Sequence, residues 1–134
     1  MSKNIIVSNR LPVQAENNNS SWSFTPTSGG LATGMKSVHQ EGESLWVGWP
    51  GVSSDKLDGK SKLQIVQDLS KNQLRPVFLD EKELDHFYFG FSNKCLWPLF
   101  HYFIEYHQFD NIQWEYYVQV NQKFADEVLS VIDY

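Results

Sequence analysis

The chain has 134 residues, 41% hydrophobic and 20% charged, which are the proportions of one ordinary globular domain with a single core. Its net charge of -5, with Lys and Arg scattered, excludes the basic face that nucleic-acid binding requires. The opening "MSKNIIVSNR" carries an apolar run too short for a secretion signal or a membrane span, and the lone Cys95 allows no internal disulfide; both point to a cytoplasmic protein without membrane contact.

In chain order, "NIIVSN" is a β-branched run without polar alternation, as expected of a buried parallel strand ending at Ser8 or Asn9. Arg10 then sits where strand gives way to loop. Residues 11–28, rich in Asn, Ser, Pro and Thr, read as a long loop in which Trp22 and Phe24 are unusual. Gly29 and Gly30 open a helical segment to about His39, and "SLWVGWPG" reads as a second buried strand running into a turn at Pro50 and Gly51. "VSSDKLDGK" is polar and turn-rich, "SKLQIVQDLSKNQ" is weakly helical or mixed, and "LRPVFLD" is a third strand with Pro76 near its start. Asp80 with Glu83 forms a capping-box pattern that opens a helix to about Phe87. From Asn111, the recurrence of Trp114, Tyr117, Val118, Phe124, Ala125, Val128, Leu129 and Ile132 marks a long amphipathic helix capped by Asp110 or Asn111, its stripe interrupted by Asn121. Strands separated by helices predict an α/β, Rossmann-like layered domain with a mostly parallel sheet.

Three features carry candidate chemistry. "TSGGLATGMKS" is not a hydrolase phosphate loop: Met35 separates Gly34 from Lys36, and roughly twenty residues intervene between the first strand and Gly29. The paired glycines at a helix start suit either a close approach to phosphate or sugar, or a plain tight turn. Arg10, at the C-terminal end of the first strand, lies where open α/β sheets place ligands; it suits a phosphate, or a surface acid. The aromatic run "FYFGFSNKCLWPLFHYF" offers flat faces for a sugar ring, although core packing accounts for at least half of it. The four histidines and the cysteine match no metal-ligand spacing, and no nucleophile with its base is arranged for covalent catalysis.

"IIVSNRLPV", "SGGLATG", "LWVGWPG", "FSNKCLWPLFHY" and "W..Y..VN..FAD", in this order from about Ile5 to Asp126, resemble the N-terminal portion of the trehalose-6-phosphate synthase family. That family comprises retaining glycosyltransferases that move glucose from UDP-glucose to glucose 6-phosphate, built from two Rossmann-like domains of the GT-B type around a cleft. The resemblance implies that residues 1–134 are a single partial N-terminal, acceptor-side domain, truncated before the C-terminal donor domain. It places Arg10 on the acceptor phosphate, Trp49, Tyr88 and Trp97 around glucose 6-phosphate, and Gly29 and Gly30 in the loop that meets UDP-glucose. UDP-glucose is then a co-substrate, with no cofactor and no metal, and transfer proceeds directly with retention. No catalytic residue is assigned, and this chain by itself is expected to be inactive.

Two other readings stay open at this level. A non-catalytic sugar-phosphate-binding or regulatory module would use the same pocket residues, and a mononucleotide-binding α/β domain would rest on the glycines alone. A half-domain with an unpaired sheet edge is also expected to self-associate.

Overall fold

The computed structural model describes residues 4–18, 21–27, 34–35, 39, 44–87 and 111–132. Its centre is a parallel sheet of three strands in the order β1 (Asn4–Arg10), β4 (Ser44–Trp49), β5 (Leu74–Pro76). Beside it, β2 (Val13–Asn18) and β3 (Ser21–Pro26) form an antiparallel pair. The α/β class and the parallel sheet agree with the expectation from sequence.

Central strand β4 shows why an unbroken apolar run becomes an inner parallel strand, since successive side chains enter opposite cores. Trp46 packs with Ile6, Leu11, Ile65, Leu69 and Leu74. Val47 packs with Val77, Leu79, Phe87, Val120 and Phe124. Helix α1 (Gly59–Ser70) supplies Ile65 and Leu69, one turn apart, to the first core. It is a regular helix rather than a mixed segment, because the Asp58 carboxylate accepts from the Ser61 N–H at 2.7 Å and starts it cleanly.

Pro76 ends β5 rather than beginning a longer strand. Proline has no N–H to give, and the ladder continues instead through the Val77 N–H, which donates to the Gly48 carbonyl at 2.8 Å. The capping box forms as expected at α2 (Glu81–Glu83), and the helical path continues through a widened π turn to Phe87.

Residues 11–28 are not a loop throughout. Val13 to Asn18 pairs residue for residue with Pro26 to Ser21, which sets Ala15 opposite Phe24 and Asn17 opposite Trp22. Trp22 and Phe24, two residues apart, share one face of β3 and pack against the first core, which accounts for their presence in so polar a segment.

Helix α3 (Asn111–Val131) is the long helix expected, but its buried face is rotated from the predicted stripe. Val120 and Phe124 are buried with Tyr117 and Val128 beside them, whereas Trp114, Val118 and Leu129 are 45%, 49% and 53% exposed. Asn111 is the first helical residue; Asp110 lies outside the described residues. Among the described residues, no helix is long and apolar enough to cross a membrane.

Candidate functional site

The C-terminal ends of β1 and β4 lie side by side, with Arg10 paired to Trp49. Between Val7 and Arg10 the register slips: Val7 faces Val47 and Arg10 faces Trp49, so Ser8 and Asn9 stand against Gly48 alone. Such a bulge bends the strand and re-aims the side chain that follows it. Gly48 permits the bend. A Cβ there would lie 2.9 Å from both the Ser8 carbonyl oxygen and the Leu11 nitrogen, and 3.0 Å from the Arg10 carbonyl carbon. Only glycine leaves room for that backbone.

The bulge is locked by a buried polar chain. The Trp46 indole N–H donates to the Ser8 hydroxyl at 2.7 Å, and that hydroxyl donates to the Arg10 carbonyl at 2.6 Å. Beyond it, the Leu11 N–H donates to the Trp49 carbonyl at 2.8 Å and the Ala15 N–H to the Pro50 carbonyl at 2.9 Å. The backbone that carries Arg10 is therefore fixed on both sides of the residue.

The Arg10 side chain is exposed, with its guanidinium carbon 5.6 Å from the centre of the Trp49 ring, a cation–π arrangement. Trp49 is itself oriented, since its indole N–H donates to the Val52 carbonyl at 2.9 Å. Arg10 Nη2 also donates to Gln14 Oε1. No carboxylate among the described residues pairs with this guanidinium, so its charge stays available to an anion.

Of the residues singled out from sequence, the structure brings Arg10 and Trp49 together. Gly29, Gly30, Tyr88 and Trp97 lie outside the described residues. Sequence reading missed the parts that Ser8, Gln14 and Gly48 play here, although the adjacency of "VSNR" and "WVGW" to the two strand ends was a usable signal. Among the described residues, no group of three His, Cys, Asp or Glu side chains is arranged to hold a metal ion.

A second polar cluster supports the segment that leads to Tyr88. The Glu83 side chain is fully buried and accepts from Lys123 Nζ at 2.6 Å, from Gln119 Nε2 at 3.0 Å and from the Asp80 N–H at 3.1 Å. Burial pushes its carboxyl up, but the hydrogen bonds from Lys123, Asp80 and Gln119 outweigh it and hold the group below the ordinary glutamate range. This cluster ties α2 to α3 just before the π turn.

Residues 2–134 match the family model of glycosyltransferase family 20. An alpha,alpha-trehalose-phosphate synthase (UDP-forming) of Yarrowia lipolytica is 38% identical over 130 residues, covering 96% of this chain and 27% of its own. Two solved structures share the fold. One, from E. coli and bound with UDP-2-fluoro glucose, has a TM-score of 0.67 at 30% identity and covers 98% of this chain and 26% of its own. The other, an alpha,alpha-trehalose-phosphate synthase (UDP-forming) from Burkholderia xenovorans in complex with glucose-6-phosphate, has a TM-score of 0.66 at 28% identity and covers 98% and 26%. The chain thus spans about a quarter of the length of the relatives it matches.

Proposed function

The chain belongs to glycosyltransferase family 20, and from that membership we propose that it forms the acceptor-side part of an enzyme that transfers glucose from UDP-glucose to glucose 6-phosphate, giving trehalose 6-phosphate and UDP. The observation that carries the reading is the Arg10 guanidinium, unpaired by any described carboxylate and held over Trp49 at the C-terminal ends of two adjacent parallel strands. The relatives' names and the two ligands in the solved neighbours support it.

On this reading Arg10 binds the phosphate of the acceptor, and Trp49 gives the sugar ring a flat face. Tyr88 and Trp97 complete the acceptor pocket, and Gly29 with Gly30 lets backbone N–H groups approach the donor. Holding both sugars in one geometry makes the encounter of acceptor hydroxyl and anomeric carbon effectively unimolecular. The hydroxyl attacks from the face that UDP leaves and its proton passes to the departing diphosphate oxygen, so configuration is retained and no side chain serves as nucleophile. Positive groups on the donor side stabilise the leaving diphosphate.

The test is UDP release by the whole protein from UDP-glucose, with and without glucose 6-phosphate. UDP formed only in the presence of glucose 6-phosphate, with trehalose 6-phosphate as product, is the expected result. Saturable glucose 6-phosphate binding without UDP release would replace the enzyme by a sugar-phosphate-binding module.

A further inference from the structure

Gln14 lies on β2, four residues beyond Arg10, in a segment that composition alone marks as loop. Its side-chain amide is held at both ends. Nε2 donates to the Gly51 carbonyl at 2.7 Å and to the Ala15 carbonyl at 3.2 Å, which leaves Oε1 to accept from Arg10 Nη2. The orientation of the amide follows from chemistry, because turned the other way its oxygen would face two carbonyls and its NH2 would face a cation. Gly51 is shaped to the same group: it has φ +91°, and a Cβ there would run into the Gln14 amide.

We infer that Gln14 is a positioning residue that aims the Arg10 guanidinium over Trp49 while leaving its charge uncompensated for the acceptor's phosphate. The inference rests on the reading of Arg10 as the phosphate-binding group. An amide suits the task where a carboxylate would not. It accepts one N–H of the fork and fixes its plane, yet brings no negative charge to compete with phosphate. Glutamate has the same size, would hold Arg10 more tightly, and would leave Arg10 a weaker binder of phosphate as a result. It would also set a carboxylate oxygen against the Gly51 carbonyl.

The experiment compares Gln14→Glu, Gln14→Leu and Arg10→Ala in the whole protein by steady-state kinetics, varying each substrate in turn. The expected order of KM for glucose 6-phosphate is wild type, then Gln14→Leu, then Gln14→Glu, with the last raised about tenfold or more and the KM for UDP-glucose within about twofold. A purely structural role would not rank the two Gln14 variants by charge or spare the donor. Both Gln14 variants within about twofold of wild type, with Arg10→Ala impaired, would overturn the inference and leave the phosphate reading intact. An unimpaired Arg10→Ala would overturn that reading and the inference together. Should Gln14→Leu fold poorly, Gln14→Ala takes its place as the uncharged variant in the ranking.

Discussion

Replacing Lys123 by methionine keeps the aliphatic stem across the α2–α3 contact and removes the ammonium, which donates to Glu83 at 2.6 Å and, more weakly, to the Phe78 carbonyl at 3.3 Å. The Glu83 carboxylate has 0% exposure and three donors, at 2.6, 3.0 and 3.1 Å. Breaking a buried pair by removing one partner costs about 3–5 kcal/mol when the survivor is stranded. Here the survivor keeps Gln119 and the Asp80 N–H, and the Lys123 side chain is 41% exposed, so solvent already screens part of the attraction. The expected loss is therefore about 2–3 kcal/mol at pH 7. Its pH dependence has a definite sign. In the native chain the Glu83 carboxyl lies below its unfolded value, so its contribution is complete above the ordinary glutamate range and fades as pH falls through the lowered folded value. Without Lys123, burial weighs more heavily and the carboxyl moves up, so the variant suffers least when the group is protonated. Urea unfolding followed by circular dichroism at pH 7 and pH 4 reads both effects. A loss below about 0.5 kcal/mol at pH 7, or one that stays the same at pH 4, would refute this account of the cluster.

Gly48→Ala should cost about 1–3 kcal/mol, because all three atoms crowded by the new Cβ are backbone and the β1 bulge has to shift. The same substitution should raise the KM for glucose 6-phosphate, since the moved backbone carries Arg10; an unchanged urea midpoint and KM would sink the bulge argument. The outer edge of β1 is unpaired among the described residues, and Val7 beside it is 49% exposed, so this chain should self-associate with rising concentration in analytical ultracentrifugation. Val7→Lys should reduce that association, and a chain monomeric throughout the concentration series would count against it.

The parts of the fold legible in the sequence were those set by local chemistry. "LWVGW" had to be an inner parallel strand because nothing polar interrupts it, and Asp80 with Glu83 had to cap a helix because each side chain reaches the other's backbone N–H. "IIV", apolar in the same way, lies instead at the edge of the sheet among the described residues, with Ile6 buried and Val7 49% exposed. The β2–β3 pair was hidden for a physical reason. Its outward residues are Asn, Glu, Ser and Thr, which have the composition of a loop, and only the pairing of distant residues reveals the alternation. Gln14 was hidden with it, since it reaches Arg10 and Gly51 together only once the start of β2 is tied to the turn after β4 through the Ala15 N–H and the Pro50 carbonyl. The α3 face was misjudged because its core side, Val120 and Phe124, runs directly beside Gln119 and Lys123, which are polar in sequence and reach from the helix surface to the buried Glu83. Arg10 and Trp49 were correctly placed at strand ends, but the bulge that aims Arg10 depends on Gly48 across the ladder.

The central claim is that Arg10 and Trp49 form one corner of the acceptor site. The most direct measurement follows the assigned Trp49 indole N–H by NMR in the whole protein during titration with glucose 6-phosphate, alongside Arg10→Ala. The account predicts a saturable shift that is lost in the variant. A Trp49 signal that stays unmoved under conditions where the same sample consumes glucose 6-phosphate and releases UDP would contradict it.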